Sequence, residues 1–270
     1  MNKKLLSLPF LFWSALFIII PLCMVFYYGL TDKTGAFTLE NILAITMAEH
    51  AKALWQSIVL SVISTVICLL LAYPLAMILC NMNVNQNSFT VLIFILPMWM
   101  NFLLRTLAWQ TLLEKTGVLN SLLAFFHLPT LNIINTPSAI VLGMVYNFLP
   151  FMVLPIYNVL VKIDKNVVNA ARDLGANGFQ TFMKIILPLS TPGVISGITM
   201  VFVPALTTFV ISKILGGSKI LLIGNIIEQE FTQTGNWNLG SGLSIVLMLF
   251  IIFNMVISAV TDKEGEASAL

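Results

Sequence analysis

Six long apolar stretches constrain this chain more than any other feature of its sequence. They cover residues 8–30, 57–80, 89–113, 138–161, 192–212 and 240–260. A helix needs about 20 apolar residues to cross a bilayer, and each stretch is long enough. The chain is 59% hydrophobic and 9% charged, against roughly 45–50% and about 25% for soluble domains. The sequence therefore predicts an all-α, polytopic membrane protein with six transmembrane helices.

The ends of the chain indicate an orientation. Lys3 and Lys4 precede the first stretch with no acid beside them, which predicts a cytoplasmic N-terminus. That stretch is longer than the roughly 7–15 apolar residues of a signal peptide, and no cleavage site follows it, so we predict an uncleaved span. Six spans return the C-terminus to the cytoplasm. We predict one transmembrane domain over residues 1–262 and a polar, frayed tail over 263–270.

The segment 162–191 is polar and charged, and it lies on the cytoplasmic side in this topology. Apolar residues recur near helical spacing from Asn166 to Met183, which predicts a helix. Gly175 permits a turn that would strain alanine. Leu187-Pro188 is predicted to end this helix before the next span begins at Pro192. Composition leaves two interpretations open: a helix on lipid headgroups, or a helix docked into a cytoplasmic partner.

Two other long connections are predicted outside. Residues 116–137 contain an apolar run too short to span, which predicts an amphipathic helix at the outer interface. Residues 213–238 form a second external loop, in which Gly216-Gly217-Ser218-Lys219 departs from the phosphate-binding pattern G-x-x-x-x-G-K-[ST].

Several residue types exclude function classes. Cys23, Cys68 and Cys80 lack metal-ligand spacing and are predicted to be small buried hydrophobes. The net charge of +2 comes without a basic patch for nucleic acid. Prolines interrupt the spans, and those beside polar residues are either hinges or packing kinks. These prolines are Pro74, Pro97, Pro150, Pro155 and Pro204; both interpretations stay open at Pro97 and Pro150, and packing kinks are favoured at the other three.

The cytoplasmic segment resembles a known signature. Importer-type ABC transporter permeases carry E-A-A, three residues, G, nine residues, then I-x-L-P before the penultimate span. This chain has Ala170, Ala171, Gly175, Ile185, Leu187 and Pro188 at those spacings. Asn169 stands where the family has glutamate; its amide can hydrogen-bond but cannot supply a negative charge. The resemblance implies a type I ABC importer permease fold, with this loop forming the coupling helix seated in a groove of the ATPase.

The residues that the resemblance assigns to ATPase coupling are Asn169, Ala170, Ala171, Arg172, Asp173, Gly175, Ile185, Leu187 and Pro188. Further segments resemble the spermidine/putrescine permease subfamily, and most of all the first of its two permease subunits. These segments are 97–101 with Arg105, 146–152, 216–219 and 222–225.

The resemblance also implies the partners. They are a second homologous permease, two copies of a cytoplasmic ATP-binding subunit and an extracytoplasmic polyamine-binding protein, all at the cytoplasmic membrane. The chain itself would be non-catalytic and carry no cofactor, since the partner ATPase binds ATP and Mg²⁺. The implied function is ATP-driven polyamine import by alternating access.

Four residues could line the route of a polyamine: Trp99, Asn101, Tyr146 and Asn147. A continuous span from Phe89 places Asn101 about 18 Å deep and Arg105 about 24 Å deep, near the outer surface, where arginine can extend to water. Aromatic faces attract cations, and amide oxygens accept hydrogen bonds from ammonium groups. The alternative for each is an inter-helix hydrogen bond or a packed aromatic ring. Weaker candidates are Thr207, Thr208 and Asn254.

Three rival functions remain. The first is an ABC permease for an amino acid, an iron complex or another cation, which belongs to the same class of transporter but carries a different substrate. An ion-coupled secondary transporter would show intramembrane carboxylates or an internal repeat, and neither is evident. A membrane enzyme would need clustered nucleophiles or acid–base pairs, whereas His50 and His127 lie in predicted loops without a paired acid.

Overall fold

The computed structural model describes residues 8–81 and 98–268, and it excludes the side chains of residues 8, 9, 11, 81, 218, 259 and 261–268. The described residues are almost entirely helical, with one isolated antiparallel bridge between Thr31 and Phe37. The all-α prediction is confirmed for this part of the chain.

The described residues of the first half of the chain form six α-helices. α1 (Leu8–Ser14) continues through a π-helical turn (Ala15–Ile19) into α2 (Ile20–Gly29); α3 (Glu40–Leu43), α4 (Ala48–Asn81), α5 (Phe102–Leu113) and α6 (Val118–Phe125) follow. α6 confirms that a helix occupies the connection 116–137.

The second half begins with a long helix and a short hairpin. Its elements are α7 (Pro137–Leu160), α8 (Lys165–Asp173), α9 (Gly178–Thr181), a π-turn (Phe182–Ile186), α10 (Leu187–Thr207), α11 (Val210–Leu215), α12 (Ile223–Gln229), a second π-turn (Glu230–Thr234) and α13 (Trp237–Ser268). Helix α13 therefore continues into the predicted frayed tail, of which residues 269–270 lie outside the described residues.

Five helical segments within the described residues are long and apolar enough to cross a membrane. They are Phe12–Gly29, Ala48–Cys80, Pro137–Leu160, Gly178–Thr207 and Trp237–Ser258. Residues 89–97 of the predicted third span, including Pro97, lie outside the described residues, as do Lys3 and Lys4. The count of six spans and the cytoplasmic termini therefore stay predictions.

The predicted third span ends at Leu113 as expected, but within the described residues it is not one continuous helix. Helix α5 begins only at Phe102, because Asn101 adopts a non-helical conformation and caps it: its Oδ1 accepts hydrogen bonds from the backbone N–H of Leu103 at 2.8 Å and of Leu104 at 3.3 Å. Such a cap satisfies donors that have no partner inside the helix. A side chain expected in the middle of a span thus marks a helix start.

The predicted fifth span, 192–212, is wrong at both ends. Helical structure runs without a break from Gly178 to Thr207, so Leu187-Pro188 does not stop it. Pro188 is tolerated at the start of α10, where the preceding π-turn already departs from the i→i−4 bonding that proline would interrupt. The segment ends at Thr208, which is extended (φ −66°, ψ 136°), and the hydroxyl of Thr207 bonds back to the Val203 carbonyl at 3.1 Å.

The external loop predicted over 213–238 is also largely helical. It contains the end of α11, all of α12 and the second π-turn. Ile223 and Ile226 of α12 are buried. Their burial explains why the apolar run within this segment folds as a helix despite being too short to span.

The described residues group into two compact units. One takes its residues from Met1–Trp55 and Ile223–Phe253, and the other from Gln56–Leu222 and Asn254–Leu270. The first has a small core around Ala53, Ile226 and Leu243. The prediction of a single domain over 1–262 stays a prediction.

The second unit is built around the contact between α7 and α10. Buried residues recur every fourth position along α7: Ile140, Met144, Phe148, Met152, Ile156 and Leu160. The buried face of α10 carries small residues at the same spacing: Gly193, Gly197, Val201 and Ala205. Because residues four apart lie on one helix face, a stripe of large side chains packs against a stripe of small ones, which lets the two backbones approach closely.

Candidate functional site

The segment predicted to be cytoplasmic folds as a helical hairpin of α8 and α9. Asp164 caps α8, with its carboxylate accepting the N–H of Asn166 at 2.9 Å. At the start of α9, Asn177 and Gln180 form a reciprocal capping box with distances of 2.9 and 3.0 Å. Each of the two helices therefore begins at a polar side chain that caps its first backbone N–H groups.

Gly175 makes the turn between the two helices. Its φ of +84° lies in the left-handed region, which glycine adopts without the steric cost of a Cβ. Its N–H bonds to the Arg172 carbonyl at 2.9 Å, and the N–H of Ala176 bonds to the Ala171 carbonyl at 3.0 Å. These bonds satisfy carbonyls at the end of α8, as in other glycine-terminated helices. The prediction of a turn that requires glycine is confirmed.

The outer face of the hairpin presents two large apolar side chains. Leu174 is 90% exposed and Phe179 is 73% exposed, while Ala171 of the same hairpin is buried. Exposed apolar groups next to charged ones, here Arg172 and Asp173, are typical of a surface that meets a partner.

The structure divides the nine predicted coupling residues into two groups. Six lie in the hairpin or its turn, and the other three, Ile185, Leu187 and Pro188, lie where the π-turn passes into α10, with Ile185 and Leu187 half-buried. Within the hairpin, Asn169 and Arg172 line a groove of about 380 Å³ beneath α8. Ala170, Asp173, Gly175 and Pro188 are exposed.

The predicted pathway residues are less closely grouped. Trp99 is exposed just before α5, and Asn101 is the helix cap already described. Phe102, next to Asn101, stacks on Phe148 of α7 with ring centroids 6.4 Å apart. This contact brings the start of α5 beside the middle of α7, where Tyr146 and Asn147 lie.

Tyr146 and Asn147 point in different directions from α7. The Tyr146 ring is partly exposed and packs edge-on against Trp109 at 5.3 Å, in an apolar groove of about 640 Å³. Asn147 is 1% exposed; its Nδ2 donates to the Gly143 carbonyl at 2.8 Å, and its Oδ1 has no hydrogen-bond partner among the described residues. A buried acceptor without a donor is uncommon, and it leaves one lone pair for a ligand.

Arg105 departs from its predicted position. It is 7% exposed and its Nε has no hydrogen-bond partner within the described chain, although arginine near the outer surface was expected to reach water. The depth estimate assumed one helix from Phe89. Because α5 begins at Phe102, Arg105 lies in the first turn of a short helix that packs against α7 and α11.

A further groove, mostly apolar but with four polar side chains, was not predicted as a group. Thr65, Thr199, Asn254 and Ser258 line a space of about 290 Å³ between α4, α10 and the end of α13, and the Thr199 hydroxyl lies 3.2 Å from that of Ser258. Asn254 and Ser258 are four residues apart in the otherwise apolar stretch 245–260 of α13. That spacing is the sequence signal that could have found the groove.

The two histidines of the rejected enzyme hypothesis lie apart from these features. Nδ1 of the buried His50 lies 2.6 Å from the Ala44 carbonyl. His127 is exposed, with a positive φ of 57° after α6.

Comparison with known families agrees with this geometry. Residues 40–263 match the family described as the binding-protein-dependent transport system inner membrane component. The chain belongs to this family. Together with the apolar helices, membership makes it a multi-pass protein of the cytoplasmic membrane.

Relatives within this transport-system family cover most of the chain. The spermidine/putrescine transport system permease protein PotB of Haemophilus influenzae is 37% identical over 252 residues, which are 89% of this chain and 88% of that protein. PotB of Escherichia coli strain K12 is 36% identical over 245 residues, covering 88% and 89%. A PotB homolog of Mycoplasma genitalium is 30% identical, covering 95% and 92%.

Solved structures support the same fold. A bacterial ABC transporter involved in the import of alginate superposes with a TM-score of 0.72 at 18% identity, covering 95% of this chain and 94% of that one. A methionine ABC transporter superposes with a TM-score of 0.57 at 17% identity, covering 80% and 95%. The fold is therefore that of ABC importer permeases, and such a permease works with an ATPase and a substrate-binding protein.

Proposed function

We propose that this chain is the permease subunit of an ATP-driven importer of polyamines such as spermidine and putrescine. The observation that carries the proposal is the hairpin of α8 and α9, which places the E-A-A-like signature beside the exposed Leu174 and Phe179. The substrate class is supported by PotB relatives at 36–37% identity over nearly 90% of the chain.

In this mechanism the hairpin seats in a cytoplasmic ATPase that binds ATP and Mg²⁺, while this chain carries no catalytic residue. Exposed Leu174 and Phe179 would supply the apolar contact, with Asp173 at its edge. A second homologous permease and a second ATPase copy complete the assembly, and an extracytoplasmic protein delivers the polyamine. Closure of the ATPases would then move the hairpin together with α10, because helical structure continues from Gly178 to Thr207.

The ATPase contact is tested by Leu174→Asp. A charge at this side chain should reduce co-purification of the ATPase and spermidine uptake at least tenfold, with the protein still inserted, because desolvating an unpaired carboxylate at an interface is costly. Leu128→Asp is the matched control: this leucine is also exposed and apolar but lies between α6 and α7. Gly175→Trp should likewise uncouple ATP turnover from uptake. Unchanged uptake in both hairpin variants would overturn the docking role.

Cargo is tested separately, by competition of unlabelled spermidine and putrescine against labelled spermidine in proteoliposomes of the assembled importer. Competition by an amino acid or an iron complex instead would favour the rival cargo. Uptake without any ATPase, driven by an ion gradient, would favour a secondary transporter.

Asn147 offers a test of the route. Its unpartnered Oδ1 could accept a hydrogen bond from an ammonium group once the helices around it open. Asn147→Leu should raise the KM for spermidine while leaving thermal stability unchanged or higher, because it removes a buried acceptor that costs about 1–3 kcal/mol when unpaired. Loss of stability with normal KM would instead assign Asn147 to packing.

A further inference from the structure

The groove beneath α8 has a composition that neither import nor ATPase docking explains. It lies within the second unit, where the last turns of α4 and α7 meet one face of the hairpin. Its lining residues are Met77, Cys80, Leu160, Val161, Ile163, Lys165, Val168, Asn169, Arg172, Gly178, Thr181, Phe182 and Ile186.

The lining has an apolar floor and a cationic edge. Met77 and Leu160 belong to helices long enough to span a membrane, and Phe182 begins the π-turn. Lys165 and Arg172 are exposed on the same face of α8. No carboxylate is among the lining residues in the part of the chain that the structure describes. Two acids adjoin these cations in sequence: the carboxylate of Asp164 already caps α8, and Asp173 is exposed and does not line the groove.

The position of the groove limits what can fill it. Met77 and Cys80 lie in the last turn of α4, and Leu160 ends α7, so the groove is level with the ends of two spanning helices. A helix of 24 residues such as α7 is about 36 Å long, a little more than the roughly 30 Å of the hydrocarbon core, so its end lies close to the boundary between acyl chains and headgroups. An occupant there meets acyl chains on one side and water on the other.

We propose that this groove binds one anionic phospholipid. Its phosphate would lie between Lys165 and Arg172, and the upper part of an acyl chain would cover Met77 and Phe182. Basic pockets between transmembrane helices bind anionic headgroups in this way, and a free phosphate would leave the apolar floor uncovered. The lipid holds α8 against the spanning helices, while Leu174 and Phe179 on the outer face stay free for the ATPase. The proposed orientation assigns the lipid to the cytoplasmic leaflet.

The test compares lipids retained by the full-length chain. Wild-type protein is extracted from vesicles with equal amounts of phosphatidylglycerol and phosphatidylcholine, and bound lipid is counted by native mass spectrometry. We expect preferential retention of phosphatidylglycerol. Lys165→Gln should lower that preference about fivefold, because one cation near an anionic headgroup contributes about 1 kcal/mol. Lys184→Gln is the matched control: Lys184 is exposed nearby in the π-turn but does not line the groove.

A second variant tests the apolar part without changing charge. Gly178 lines the groove, and a Cβ built on it meets no atom within 4 Å, so substitution is compatible with the fold. Gly178→Leu should occupy the space of the acyl chain and reduce retained phosphatidylglycerol severalfold. Equal retention of both lipids by the wild type overturns the proposal, as does an equal loss in the Lys184 control. Complete displacement by millimolar inorganic phosphate would assign the site to a free anion instead.

Discussion

At the scale of single residues, Gly175 shows how one backbone conformation sets the shape of the candidate site. Its φ of +84° turns the chain between α8 and α9, and no atom lies within 4 Å of a Cβ built there. The requirement for glycine is therefore conformational and not a matter of space.

Gly175→Ala should lower the free energy of unfolding by about 1 kcal/mol, which is the cost of a left-handed conformation for a residue with a Cβ. Gly178→Ala is the control, since Gly178 has equal space but a helical conformation. Thermal unfolding and hydrogen exchange over residues 165–181 measure the difference. Equal destabilisation by both substitutions would contradict the conformational explanation.

Asp32 organises the turn after α2. Its Oδ1 accepts hydrogen bonds from the Thr34 hydroxyl at 2.7 Å, the Thr34 N–H at 2.8 Å and the Ala36 N–H at 2.9 Å. These bonds, chiefly that of the Thr34 hydroxyl, hold the pKa of Asp32 below its ordinary value of 3.8. They favour the ionised carboxylate.

The lowered pKa predicts a pH-dependent turn. A carboxyl with a depressed folded pKa stabilises the folded form above its ordinary pKa and loses that contribution as the pH falls through the folded value. Hydrogen exchange of the Ala36 amide, corrected for its intrinsic rate, should therefore accelerate only below about pH 4. Asp32→Asn should abolish this step, and an identical pH profile in the two proteins would refute the assignment.

At the scale of elements, the contact of α7 with α10 depends on small residues. A Cβ on Gly193 would lie 2.9 Å from the Pro155 carbonyl oxygen, and a Cβ on Gly197 would lie 2.7 Å from the Met152 sulfur. The first obstacle is backbone, which moves only with its helix, whereas a methionine side chain can rotate away.

Gly193→Ala should therefore destabilise the protein by about 1–3 kcal/mol, the usual cost of overpacking. Gly197→Ala should cost clearly less. Each variant adds one methyl group to the same helix, at positions four residues apart. Their thermal unfolding midpoints in one detergent can therefore be compared directly. A larger loss of stability in Gly197→Ala than in Gly193→Ala would contradict the explanation from backbone and side-chain obstacles.

Hydrogen bonding within single segments explains which element ends were mispredicted. Periodicity locates apolar stretches, but the helix from Gly178 to Thr207 continues past Pro188 and Pro192 because its interior bonds rearrange through a π-turn. The start of α5 depends on the side chain of Asn101, which no hydropathy pattern distinguishes from a polar residue inside a span. Local hydrogen bonding decided these boundaries.

At the scale of the whole molecule, the hairpin and the turn at Asp32 are predicted to face opposite sides of the membrane. With Cys23, Cys68 and Cys80 replaced by alanine, Leu174→Cys should react with a membrane-impermeant maleimide only in inverted vesicles. Thr34→Cys should react only in right-side-out vesicles, and both residues are exposed. Labelling of Leu174→Cys from outside would reverse the orientation and remove the coupling role.

The sequence by itself determined that the chain is an all-helical membrane protein and that residues 162–191 resemble a coupling loop. Both follow from local information, since the length of an apolar run and the spacing of a signature do not depend on distant residues. Only the tertiary structure decided that Arg105 and Asn147 are buried, that Asn169 and Arg172 line a groove, and that Leu174 and Phe179 face outward. Burial depends on which other helix covers a side chain, and packing between distant segments settles that.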